Sequence, residues 1–107
     1  MALRLIAVLN LRDQFQQLQA RHPLISEVRG AGLFFGVELR HGGPAGTPAS
    51  RETADIVNGL RERRVLISAA GPQANVLKIR PQLVFSTEHA DILVDRLDQS
   101  LQAINKA

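Results

Sequence analysis

Apolar residues at Leu5, Val8, Leu11, Phe15 and Leu18 recur at three- and four-residue steps, the spacing that lines one side of an α-helix. Gln14, Gln16, Gln17 and Gln19 supply the polar side. Pro23 cannot continue a helical hydrogen-bond ladder, so this helix is predicted to end near Arg21. The period then changes. Leu33, Phe35, Val37 and Leu39 alternate with Phe34, Gly36 and Glu38, which is the two-residue period of a strand. Ile25–Arg29 reads as a partner strand, with Gly30-Ala31-Gly32 as a tight reversal or bulge between the two.

The glycines and prolines of His41–Ser50 predict a surface loop. Ser50 is the expected cap of a second helix, whose buried stripe is Thr53, Ile56, Val57 and Leu60. Val65–Ser68 is predicted as a short buried strand and Ala69–Asn75 as a loop. Val76–Arg80 is predicted as a strand with Leu77 and Ile79 on one face and Lys78 and Arg80 on the other, its pairing ended by Pro81. Ser86 or Thr87 is predicted to cap a last helix that buries Ala90, Leu93, Leu97, Leu101 and Ile104 and turns Asp91, Asp95, Arg96 and Asp98 to water. The order αββαββα predicts one α+β domain over residues 1–107: a small, largely antiparallel sheet of three to four strands with helices on one side.

Composition narrows the function classes. A length of 107 residues suits one domain with a modest core. With no cysteine there is no disulfide framework and no thiolate nucleophile or metal ligand. The longest apolar-leaning stretch, Ile25 to Leu39, is broken by Glu27, Arg29 and Gly30, so no membrane span is expected. Met1–Asn10 lacks the features of a signal peptide. A cytoplasmic location is the expectation. The formal charge of +3 raises nucleic-acid binding. The arginines are dispersed among acids, however, and the one cluster, Arg61, Arg63 and Arg64, falls where cations complement a helix dipole. No nucleic-acid partner is expected.

Few residues suggest chemistry. His22, His41 and His89 lack metal-ligand spacing. The glycines of Gly30-Ala31-Gly32-Leu33-Phe34-Phe35-Gly36 resemble a dinucleotide loop, but the third is one place late and a strand period follows where a helix is required. An RNA-stacking strand would need aromatics where Ala31 and Leu33 stand. Arg80 is the candidate. It ends a strand before a proline, where a guanidinium can leave the sheet and grip a carboxylate in a two-pronged bond. From spacing alone a surface arginine, or one paired with a nearby acid for structure, is the favoured reading.

Two longer stretches carry a resemblance. Val28-Arg29-Gly30-Ala31-Gly32-Leu33-Phe34-Phe35-Gly36-Val37-Glu38-Leu39 resembles the strand pair that opens the small carboxy-terminal domain of class III aminotransferases. Asn75-Val76-Leu77-Lys78-Ile79-Arg80-Pro81 with Leu83-Val84-Phe85-Ser86 resembles their later strand and turn. The likeness runs over residues 14–104 and is nearest the branch of alanine–glyoxylate aminotransferases and amino-alcohol phosphate lyases. Pro81-Gln82 departs from the pair of prolines common in the family, and the first helix is short.

The resemblance implies a fold-type-I enzyme that uses pyridoxal phosphate and acts as a homodimer on small amino and keto acids, with Arg80 receiving the substrate carboxylate. It also implies that the cofactor lysine lies in a large domain. Lys78 and Lys106 match no such lysine, so no catalytic residue and no cofactor are assigned to this chain alone. Its expected partner is that large domain. A self-standing, ferredoxin-like oligomerising or regulatory module is the alternative that the α+β order also allows.

Overall fold

A computed structural model describes residues 2–31, 34–65, 67–80 and 87–105. Helix α1 (Ala2–Arg21) is followed by β1 (Ile25–Ala31), β2 (Phe34–His41), the two-residue β3 (Thr47–Pro48), α2 (Ser50–Glu62), β4 (Ser68–Ala70), β5 (Val76–Ile79) and α3 (Thr87–Asn105). The main sheet has the order β1-β2-β5-β4 and is antiparallel throughout, with β3 attached to the end of β2. The chain is thus α+β, as the periodicities require.

The alternation of β2 decides what each face carries. Phe35, Val37 and Leu39 are buried beneath the helices, and their neighbours in β5, Leu77 and Ile79, are buried with them. The helices close the same core with Leu11, Phe15 and Leu18 of α1, Ile56 and Leu60 of α2, and Leu93, Leu97 and Leu101 of α3. No described helix is long and apolar enough to cross a membrane.

Gly30 lies inside β1, directly opposite Phe35. A Cβ there would stand 2.7 Å from Cε1 of the Phe35 ring. The ring uses the space a side chain would fill and meets Phe15 edge-on, with centroids 5.6 Å apart. The glycine is therefore a seat for an aromatic ring, not the reversal. The irregularity in this ladder falls between Ile25 and Glu27, and residues 32–33 lie outside the described set.

Other boundaries also differ from the sequence pattern. The third long-range strand is Ser68–Ala70, not Val65–Ser68. Ile67 is buried, but it is Ser68, Ala69 and Ala70 that pair with Lys78, Leu77 and Val76. Hydrophobicity there reports burial rather than pairing. Ser50 is the first residue of α2 and does not cap it. Ala49 stands at the cap with no side-chain bond, and the Ser50 hydroxyl donates to the carbonyl of Gln73. The Thr53 hydroxyl returns to the Ala49 carbonyl at 2.8 Å. Thr87 is inside α3, while Ser86 and Pro81 lie outside the described residues.

Helices α1 and α3 run side by side in the same direction. Gln14 Nε2 donates to Asp91 Oδ1 at 2.6 Å, and Nε2 of His22 meets Asp98 Oδ1 at 2.6 Å. His22 is buried where α1 turns into β1, so Asp98 does not face water as its helix position suggests. The carboxylate is also held by Gln102 at 2.8 Å.

The end of α2 has a specific closure. Val65 N–H donates to Leu60 C=O at 2.8 Å and Arg64 N–H to Arg61 C=O at 3.0 Å, the paired bonds of a Schellman ending. The closure requires a left-handed residue, and Arg64 adopts φ +65°. An L-residue pays roughly 1 kcal/mol or more for this conformation, whereas glycine does not.

Two stability outcomes follow. Arg64→Gly should raise the unfolding free energy by about 1 kcal/mol in urea denaturation. Gly30→Ala should lower it by about 1–3 kcal/mol, because the Phe35 ring must move within a packed core. The second cost should shrink when Phe35→Leu is already present; an undiminished cost would remove the ring as its cause.

Candidate functional site

No described helix packs on the opposite face of the sheet, and the register shows which residues share it. One row across the strands is Arg29, Gly36, Lys78 and Ser68. The next is Glu27, Glu38, Val76 and Ala70. Two strand spacings put the Arg29 and Lys78 backbones roughly 10 Å apart, with Gly36 contributing no side chain between them. Gly36 is buried, and a Cβ there would approach Val76 Cγ1 to 3.3 Å, so the Val76 side chain packs against this position.

Arg80 directly follows β5. Strand alternation carries it to the side of Lys78. It is exposed, and no described residue offers it a hydrogen bond or an ion pair. The structural ion-pair reading therefore has no partner among the described residues. Arg29 and Lys78 were not singled out from the sequence. Their alternation was readable there, but their row depends on a register linking strands nearly fifty residues apart.

The acids of this face are already engaged. Glu38 Oε1 accepts from Arg40 Nη2 at 3.3 Å, and Glu27 Oε2 stands 4.0 Å from Arg29 Nε. The latter pair is half exposed and contributes little. The face thus carries Arg29, Lys78 and Arg80, with Arg29 shared with Glu27 and Glu38 held by Arg40. Such a surface can hold an anion by charge-assisted bonds. It offers no nucleophile activated by a base.

The remaining candidates serve structure. His22 is tied to Asp98, and His41 Nε2 meets Glu52 Oε2 at 2.5 Å across the β2–α2 connection. The His89 side chain lies outside the described set. Among the described residues no group of His, Asp or Glu could hold a metal ion. Asn75 is buried, and its amide donates to the Leu39 carbonyl at 3.0 Å, which makes it a brace between β5 and β2.

The sequence model of the family "Aminotransferase class-III" matches residues 6–101. The chain belongs to the class III aminotransferase family. Alanine–glyoxylate aminotransferase 2 homolog 2 of Arabidopsis thaliana, a mitochondrial protein, is 41% identical over 91 residues, covering 85% of this chain and 19% of that protein. Ethanolamine-phosphate phospho-lyase homolog 1 of Caenorhabditis elegans is 34% identical over 97 residues, covering 90% and 21%. The solved structure of an Arthrobacter phospholyase in complex with phosphoethanolamine superimposes with a TM-score of 0.78 at 43% identity, covering 87% of this chain and 22% of that one. The class III aminotransferase chain described here spans about a fifth of the length of these relatives.

Class III aminotransferases use pyridoxal phosphate. The described residues do not fit a site for it. A lysine and an acid for the ring nitrogen are required. Lys78 is the lysine among the described residues, and the acids of its face, Glu27 and Glu38, are paired with Arg29 and Arg40. The 107-residue chain mixed with pyridoxal phosphate and treated with borohydride should accordingly yield no stoichiometric adduct by mass spectrometry. A single full-occupancy adduct at Lys78 would make the chain a cofactor-binding unit by itself.

Proposed function

We propose that this chain is the small carboxy-terminal domain of a pyridoxal-phosphate-dependent transaminase, working with a large cofactor-binding domain. In that setting the helix-free face closes one side of the active site, and Arg80 binds the carboxylate of the amino-acid or keto-acid substrate. What supports this reading is the row that holds Arg29 and Lys78 on the face over which no described helix lies, with the exposed Arg80 directly after β5. The family match over residues 6–101 supports the transaminase class. The short coverage of the relatives supports a domain rather than a whole enzyme.

The chemical division is simple. The cofactor, when bound, supplies the electron sink for amino transfer. This chain's residues bind and orient. Arg80 provides a planar fork matched to a carboxylate, and covering the face with the partner domain removes water, which strengthens that bond. An exposed guanidinium gains little from a carboxylate in bulk water, so the role depends on the partner's cover.

The test uses the full-length enzyme carrying this domain. A sheltered charge pair costs about 2–5 kcal/mol when one partner is truncated. Arg80→Ala should therefore lower kcat/KM for carboxylate substrates by tens- to thousands-fold and leave an amine substrate without a carboxylate nearly unchanged. Arg80→Lys should rescue in part, because an ammonium lacks the fork. If Lys78→Ala produces the selective loss and Arg80→Ala does not, the carboxylate belongs to Lys78. Equal harm to both substrates by Arg80→Ala would assign Arg80 a structural role.

A further inference from the structure

At the end of α2 stand Arg61, Arg63 and Arg64, with Glu62 in the same turn and Arg96 of α3 beside them. Arg61 and Arg64 are exposed. Arg63 and Arg96 are half-buried and pinned to the backbone: Arg63 Nη1 donates to Gly59 C=O at 3.0 Å, and Arg96 Nη1 reaches across from α3 to Arg63 C=O. Arg63 Nε also donates to Gln99 at 3.3 Å. None of the four arginines takes part in an ion pair among the described residues. The acids nearest in sequence do not alter this. Glu62 is exposed with no described partner, and Asp95 accepts from Gln99 at 3.0 Å.

Complementing the helix dipole explains one or two cations, and the pinned pair already serves the terminal carbonyls. It does not explain an arginine at the left-handed position, φ +65°, where glycine would be unstrained. Arg64 N–H bonds Arg61 C=O at 3.0 Å, so the two exposed arginines spring from the same turn. A backbone outlier that carries an exposed guanidinium, in the same turn as another exposed arginine, is a reason to look for a ligand.

We propose that the end of α2 binds a compact anion bearing two or more phosphoryl groups. Arg61 and Arg64 grip it with their forks, and Arg63 and Arg96 supply a fixed positive background. Guanidinium forks match phosphoryl oxygens in two-pronged contacts. The charges form one cluster, not a stripe along the surface, which suits a small polyanion rather than a nucleic-acid strand. The site sits in the helix layer, apart from Arg29, Lys78 and Arg80, and does not rest on the reading of that face.

The probe is tripolyphosphate, titrated into the 107-residue chain at low salt and followed by calorimetry and amide NMR. Saturable shifts should centre on Arg61–Val65 and weaken as salt is added. Arg64→Gly should bind about tenfold more weakly or worse while its melting temperature rises, and Arg61→Gln should lose a similar factor. Arg12→Gln, which removes an exposed arginine of α1, should bind as the unaltered chain does. A nucleoside triphosphate run in parallel tells whether a nucleoside adds affinity or the phosphoryl chain alone suffices. Three results would each overturn the proposal: no saturable shift at the end of α2, unchanged affinity in Arg64→Gly, or an equal loss in Arg12→Gln.

Discussion

Strand β2 bonds β1 on one edge and β5 on the other, and its end carries β3. Its register is the constraint on which the domain depends. With a side-chain period of two, a slip of one residue would turn Phe35, Val37 and Leu39 away from the helices and bring Gly36 and Glu38 beneath them. The register is held at both ends of β2. On the helix side Phe35 fits over Gly30 and against Phe15. At the far end Leu39 N–H donates to Asn75 C=O at 2.8 Å, while the Asn75 amide returns to Leu39 C=O. The same alternation that buries three large side chains brings Arg29, Gly36 and Lys78 into one row. Core and candidate site are two sides of one pairing decision.

The helix layer has its own lock. His22 and Asp98 are 76 residues apart in sequence and 2.6 Å apart in space. They fasten the turn out of α1 to the middle of α3, so the first and last elements set each other's position. Removing one member would leave the other as a buried or half-buried polar group without its partner, which is more costly than never having had the pair.

How much of this was legible in the sequence depends on the kind of information involved. The helices and the β2 and β5 alternations were legible, because burial of one face writes a period into the chain. Leu77 and Ile79 against Lys78 is such a case. Strand β4 was not. Ser68-Ala69-Ala70 has no apolar period, and its extended state comes from pairing with β5. Ser50 matched a cap by type, yet its hydroxyl finds a better acceptor at Gln73 than at its own helix. For the site, Arg80 could be named from its place before a proline. Lys78 could be set on the same side by the alternation of its own strand, but Arg29 could not, because a row across strands is a property of register rather than of any local segment.

The connection from β2 to α2 illustrates how a fold can leave room for change. Its two ends are fastened at one point: Leu39 C=O accepts the Ala49 N–H at 3.0 Å, and Arg40 Nη1 holds Gly46 C=O at 3.0 Å. The residues between need only span a gap that is already closed. Extending a closed loop costs about 0.6 kcal/mol for each doubling of its length. Segments inserted at the tip, between Gly43 and Gly46, should thus carry little penalty to the sheet. A tag grafted into this hairpin would leave undisturbed the strand that sets both faces.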